Sequence, residues 1–361
     1  MLIHWNLIKQ RPHFLAEHLN KYFNVEVVYN SSFRKGVLVK NTIAAGLRRT
    51  VIFLLPLTRY KLIRKINSIL LKLQYRIRLR LEDVVWITSP VQYELLKDIL
   101  PSNIMVVYDC MDDRLEFPEF KADTDLLEKM YRSEKDLLER TNIVIASSKY
   151  LRKKLIARYK TTKDIKVVNN AISYPNKDSG GGYVPYKIEK AFKNTKLKKI
   201  VYIGCLAEWL DVDLLLESLS LFPDIIYILI GPVGPPLPKN ERLISTGPVE
   251  HKYIFEIMRR ADALVMPFKI NELVLSVNPV KLYEYIYSCK PAIVIKYDET
   301  QEFRDYVYLY SNKEEYFYYI EKLVSGKLGI KKNCSENRNY AMRNTWEERA
   351  LIIKELILGN R

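Results

Sequence analysis

The chain has 361 residues, with 58 Lys and Arg against 42 Asp and Glu, for a formal charge of +16. A single hydrophobic core rarely serves this length, so two domains are expected. Hydrophobic residues at 48%, charged residues at 28%, and only 12 Gly and 16 Pro exclude the disordered, collagen-like and low-complexity classes.

In chain order, the first candidate strand has room only for Met1 to His4 before the polar loop Gln10-Arg11-Pro12-His13. Strands are then expected at Val25 to Tyr29 and Val51 to Leu55. Between Val27 and Leu81 there is no acidic residue, but thirteen basic ones: Arg34, Lys35, Lys40, Arg48, Arg49, Arg59, Lys61, Arg64, Lys65, Lys72, Arg76, Arg78 and Arg80. The excess charge is therefore local. Within this region Leu62, Ile66, Ile69, Leu70, Leu73 and Ile77 recur at helical spacing, with Lys61, Lys65, Lys72 and Arg76 set on the opposite side, which makes a basic amphipathic helix. Two readings stand. The apolar stripe faces the core and the cations are a solvated face, or residues 59–80 meet an anionic membrane surface, each cation contributing about 1 kcal/mol.

Further strands are expected at Val84 to Thr88, Met105 to Tyr108, Ile143 to Ala146 and Ile165 to Val168. Ser173 to Thr195, with Asp178-Ser179-Gly180-Gly181-Gly182, reads as a linker followed by an exposed segment. A second series of strands follows at Lys199 to Ile203, Ile226 to Ile230, Leu243 to Thr246, Ala263 to Met266 and Ala292 to Ile295. Strands alternating with helical patterns point to parallel sheets, hence an α/β chain of two Rossmann-like domains facing across a cleft. The boundaries read as 1–172 for the first domain, 173–196 for the linker and 197–340 for the second. Residues 341–361 form a helix expected to pack back on the first domain.

Cys110, Cys205, Cys289 and Cys334 form no Cys-x-x-Cys pair, which argues against a zinc site and a disulfide framework and fits a reducing, cytoplasmic setting. No apolar run reaches the roughly 18 residues of a membrane span, and the N-terminus lacks a signal-peptide pattern. A nucleic-acid partner is suggested by the charge and the 26 tyrosines, but the basic residues gather on one helix and no RNP motif, zinc finger or RGG tract accompanies them.

The most specific segment runs from Pro267-Phe268-Lys269-Ile270-Asn271-Glu272 through Ser276-Val277-Asn278-Pro279-Val280-Lys281-Leu282-Tyr283-Glu284-Tyr285. A loop and a Pro at a helix start turn backbone N–H groups outward and favour a phosphate. Lys281 and Glu284, three apart, share a helix face, offering a cation for a diphosphate and a carboxylate for sugar hydroxyls. The competing reading is a surface ion pair. Asp211, in Glu208 to Asp213, is placed to cap the next helix, and Trp209 reads equally as a sugar-facing wall or as packing.

Val201 to Val294 resembles the C-terminal domain of the GT-B glycosyltransferases. More narrowly, the chain is similar to the bacterial teichuronic acid biosynthesis glycosyltransferases, through Trp5 to His13, Val107-Tyr108-Asp109-Cys110-Met111-Asp112-Asp113 with Phe117-Pro118, Gly204 to Asp213, Gly231-Pro232-Val233 and the block ending at Tyr285. The resemblance implies a GT-B fold and transfer of a sugar from a nucleotide-diphosphate donor to a lipid-linked saccharide acceptor in bacterial surface-polysaccharide synthesis. The enzyme would be cytoplasmic and peripheral on the inner face of the plasma membrane.

The wider group's two-glutamate motif places its ribose-binding carboxylate at Glu284. Its first glutamate falls at Ser276, so Ser276, Asn278 or Glu272 would have to substitute. The diphosphate-binding Arg and Lys of related enzymes fall at Cys205 and Leu210, which leaves Lys281, Lys269 and backbone amides near Gly204. The loop carrying Arg11 and His13 faces the acceptor side in this fold and implies acceptor-phosphate binding, with a structural turn at Pro12 as the rival. His251 falls near the nucleotide base, where backbone contacts usually dominate. If the reaction inverts, Asp112, and after it Asp109, is the candidate general base. If it retains, the aspartates only orient sugars, and loop capping competes with either role. No metal or other cofactor is strictly required. Other enzymes of the same fold, such as a sugar-nucleotide epimerase or a phosphorylase, and a noncatalytic relative are the alternatives.

Overall fold

The structure is a computed structural model that describes residues 9–30, 46–55, 59–173, 185–193 and 196–360. The expected strand Met1 to His4, Trp5 to Ile8 of the resembling loop, the glycine-rich part of the linker, and Arg34, Lys35 and Lys40 lie outside the described residues.

The chain divides into two units, Met1–Asn170 with Trp346–Arg361, and Ala171–Thr345. In the first unit, β1 (Glu26–Asn30) pairs in parallel with β2 (Arg48–Ile52). A second parallel sheet runs in the order β3 (Val84–Ile87), β4 (Met105–Cys110), β5 (Ile143–Ala146), β6 (Ile165–Val167). Five of the six residues of β4 and all four of β5 are buried, as expected of strands covered on both faces. Ser89, Asp123 and Ser148 each accept a backbone N–H at the start of a following helix, so the turns out of the sheet are closed by their own side chains. The helix Trp346–Leu358 packs on the helix Arg11–Leu19, with the rings of Trp346 and Phe14 stacked 5.2 Å apart.

The basic helix forms over Lys61–Leu79. Its apolar stripe does not face the core: Leu62 is 67% exposed, Ile69 67%, Leu73 55% and Ile77 60%. The helix turns Asn67 and Leu71 inward instead. The Asn67 side chain accepts from Leu55 N (2.7 Å) and donates to Leu55 O (3.0 Å), and Gln74, one heptad on, does the same for Phe53 at 3.1 and 3.0 Å. These amides satisfy the extended backbone that leaves β2, and that requirement decides which face is inward. The reading that sets the stripe in the core is overturned.

The second unit holds one six-stranded parallel sheet in the order β12 (Tyr308–Tyr310), β11 (Ala292–Ile295), β10 (Ala263–Met266), β7 (Lys198–Ile203), β8 (Ile225–Ile230), β9 (Leu243–Gly247). The chain winds outward from β7 through β8 to β9, then returns to β10 on the other side of β7 and winds the opposite way. The reversal between β7 and β10 is a topological switch point, where loops leaving the carboxyl ends of the strands splay and ligands bind.

Several elements differ from expectation, among them β2, which forms three residues ahead of the run Val51 to Leu55. The segment read as exposed after the linker forms the helix Tyr186–Phe192, burying Ile188, Ala191 and Phe192. Its i, i+3, i+4 pattern is interrupted by Lys187, Glu189 and Lys190, and Glu189 bonds Arg260 at 2.6 and 3.1 Å. Edge strand β12, Tyr-Leu-Tyr, is too short to show a period.

Candidate functional site

At the switch point the loop after β7 and the loop after β10 are stitched together. Asp211 N donates to Pro267 O (2.8 Å) and Lys269 N to Trp209 O (2.7 Å), about an isolated bridge between Leu210 and Phe268. Asp211 accepts from Leu214 N at 3.1 Å and caps the helix Val212–Leu221. The loop after β8 lies against the same region: Gly204 N donates to Ile230 O (2.9 Å) and Leu206 N to Pro232 O (2.8 Å). Gly231 has φ +152°, and a Cβ there would run into the Gly204 carbonyl.

Beside these loops, the helix Val280–Tyr287 starts directly after Pro279 and presents Lys281 and Glu284 on one face. Lys281 Nζ donates to Glu284 Oε2 at 2.8 Å, and His251 Nε2 lies 3.0 Å from Oε1. Glu284 is 1% exposed, so this is not a surface ion pair. Burial alone would push its pKa up, but the Lys281 charge and the His251 contact outweigh it and hold the carboxyl down at about 2. The result is a carboxylate ionised at neutral pH, acceptor-only and beside a cation, a combination suited to a pair of hydroxyls next to a phosphate.

The other donor-side candidates have different work. Ser276 ends the short helix Glu272–Ser276, fully buried, with its hydroxyl donating to Leu273 O at 2.7 Å. Asn278 is likewise buried at the turn into the next helix. Lys269 pairs with exposed Asp213 at 2.7 Å. Gly204 spends its N–H on Ile230, and a Cβ there would overlap the Tyr202 ring, so close packing accounts for the glycine. The sequence places His251 near the nucleotide base but expects backbone contacts there; the structure instead sets its side chain on Glu284.

In the first unit, Arg11 and His13 lie in the first turn of a helix, not in a loop. Arg11 Nε bonds both Asp109 oxygens at 3.0 Å, Nη2 lies 2.9 Å from Asp109 Oδ1, and Nη1 donates to both Val168 O (2.8 Å) and Asn170 Oδ1 (3.2 Å). Both partners are buried, Asp109 completely. An ion pair so enclosed ties the helix to the end of β4, and neither an acceptor-phosphate contact through Arg11 nor proton abstraction by Asp109 fits it. His13, also fully buried, takes the Gln10 N–H on Nδ1 at 3.2 Å and closes the helix start. Asp113 is held by Arg158 (2.9 Å) and Lys154 (3.0 Å), and Arg158 continues to Glu134. Asp112 stands apart: half-buried, with its pKa raised by burial against the pull of Arg114 and Arg11. A carboxyl of raised pKa is the better proton acceptor.

Solved structures with the same fold cover nearly the whole chain. HepE of Anabaena, in complex with UDP and glucose, matches 99% of this chain and 98% of its own with TM-score 0.69 and 14% identity. Sucrose-phosphate synthase of Thermosynechococcus elongatus matches 96% and 91% with TM-score 0.68 and 14% identity. This chain has the GT-B fold. A glycosyltransferase of Rickettsia africae shares it over 97% and 95%, with TM-score 0.63 and 15% identity. Among curated sequences, "Putative teichuronic acid biosynthesis glycosyltransferase TuaH" of Bacillus subtilis is 24% identical over 278 residues, 73% of this chain and 68% of the relative. No family model matches. In this GT-B chain the Lys281–Glu284–His251 cluster belongs to the second Rossmann-like unit, and Asp112 to the first.

Proposed function

We propose that the protein transfers a sugar from a nucleotide-diphosphate donor to a saccharide acceptor. The observation that carries this reading is the buried, ionised Glu284 beside Lys281 at the sheet's switch point in a GT-B fold. Glu284 takes donor hydroxyls, those of the ribose being the natural pair, and Lys281 offsets the charge of the departing diphosphate. Asp112 is the base that takes the acceptor's proton. The chemistry is served by side chains and needs no metal.

UDP and UDP-glucose, bound by HepE, are the first donors to test. The similarity to the TuaH relative favours a bacterial surface polysaccharide as product, and we take the acceptor to be lipid-linked. A lipid-linked acceptor fits an enzyme that works in the cytoplasm, peripheral on the inner face of the plasma membrane, with residues 59–80 toward anionic lipid. The deciding experiment is a thermal-shift panel of UDP-, GDP- and dTDP-sugars, followed by nucleotide release with and without acceptor. Selective stabilisation by one donor and acceptor-dependent release support transfer. Release without acceptor would favour another reaction of the same fold, and no stabilisation by any donor would overturn the reading.

A further inference from the structure

The outward face of the helix Lys61–Leu79 is divided lengthwise. Leu62, Ile66, Ile69, Leu73 and Ile77 follow one another at steps of three or four residues, so they form one continuous row, exposed at four of its five positions. Lys61, Lys65, Lys72 and Arg76 form a second row at spacings of four and seven. Lys61, Lys65 and Arg76 are exposed, so the cations do not oppose the apolar row across the helix, as the sequence suggested, but share the outward surface with it. Lys72 is committed to Asp98 at 2.6 Å, whereas no carboxylate among the described residues pairs with Lys61, Lys65 or Arg76. The segment clamped by Asn67 and Gln74 adds Phe53, 77% exposed, and Leu55, and Tyr60 and Leu81 extend the apolar surface at the two ends of the helix.

A row of large aliphatic side chains left in water is costly unless something covers it. The inward side is already fixed by the amide clamps, so the helix cannot roll to hide the row. A protein partner would need carboxylates interleaved with apolar groups to match these two rows. A bilayer interface containing anionic lipid supplies both at once, acyl chains beneath and headgroup phosphates along one side. We infer that this helix, with Phe53, inserts its apolar row into the interface of an anionic membrane, lying in the membrane plane while Lys61, Lys65 and Arg76 hold headgroup phosphates. This deepens the membrane reading above from electrostatic attraction to insertion, and it rests on the surface of the first unit alone.

Insertion and attraction separate by salt. The full chain is sedimented with vesicles of phosphatidylglycerol and phosphatidylethanolamine, and with phosphatidylcholine alone, at low salt and at about 1 M, where charges are screened within about 3 Å. Retention on the anionic vesicles at high salt is the expected result. Ile69→Ser with Leu73→Ser lowers partitioning at least about tenfold at every salt concentration. Lys65→Glu with Arg76→Glu removes the preference for anionic vesicles instead. All four residues are exposed, so unchanged thermal unfolding is expected and serves as the folding control.

Serine variants that partition like the parent would overturn the inference, as would binding that vanishes wholly at high salt. A parent that is dimeric by light scattering, becomes monomeric in the serine variant and ignores vesicles would show that a second copy covers the row. The donor thermal shift is read on the same samples. A parent that binds vesicles but responds to no nucleotide sugar would cost the transferase reading and leave insertion standing.

Discussion

Glu284 is gripped from both ends, by Lys281 Nζ at 2.8 Å and by His251 Nε2 at 3.0 Å, the latter from a different loop of the sheet. The histidine therefore fixes the carboxylate's orientation, the one that the proposed site would offer to a hydroxyl pair, while the lysine sets its charge. His251→Ala is expected to weaken donor binding about tenfold, roughly 1.4 kcal/mol, by titration calorimetry. Glu284→Gln and Lys281→Ala should each lose donor binding beyond detection, and unchanged affinity in both would remove the cluster from the donor site.

The same carboxylate predicts an acid limit to stability. Glu284 titrates at about 2 in the folded chain against 4.5 ordinarily. A depressed folded-state pKa contributes stability that is fully present above about 4.5 and is lost as pH falls toward 2, in total on the order of 3 kcal/mol. Urea melts of the parent should therefore lose stability over this interval more steeply than those of Glu284→Gln. Parallel profiles would show that the carboxylate is not held ionised by its neighbours.

Arg11 and Asp109 present the opposite case, a buried pair whose work is structural. Arg11→Ala takes from the buried Asp109 carboxyl its Arg11 contacts and should cost about 3–5 kcal/mol in chemical denaturation. Arg11→Met with Asp109→Leu should recover much of that loss, with donor binding intact. If Arg11→Ala were as stable as the parent yet impaired for acceptor, the helix-pinning role would fail.

Asp112→Asn should abolish transfer while leaving the donor-induced thermal shift unchanged. Burial raises this carboxyl's pKa, so the acid limb of the kcat profile is expected above the ordinary carboxylate range. Full activity in Asp112→Asn would strike it from the mechanism.

The parallel strands were legible because fully buried strands write themselves as short β-branched runs: Ile143–Ala146, Ala263–Met266 and Ala292–Ile295 form where the runs stand. The pairing of Lys281 with Glu284 was legible because helical spacing alone puts them together. What the sequence hid depends on partners distant along the chain. The outward roll of Leu62 to Ile77 follows from backbone groups at Phe53 and Leu55 that need Gln74 and Asn67, and periodicity cannot tell which side of an amphipathic helix is inward. Asp109 reads like a loop carboxylate until Arg11, ninety-eight residues earlier, is found against it. His251 and Glu284 are joined across thirty-three residues by the winding of the sheet.

The stacking of Phe14 on Trp346 has a consequence for synthesis. The first unit is completed after the second, because the helix Trp346–Leu358 that covers Phe14 leaves the ribosome only after all of Ala171–Thr345 has been made. The second unit is contiguous and can fold as it emerges, whereas the first must wait with part of its apolar surface uncovered. A nascent chain stalled before residue 346 should therefore carry a nucleotide-responsive second unit joined to a first unit still open to protease.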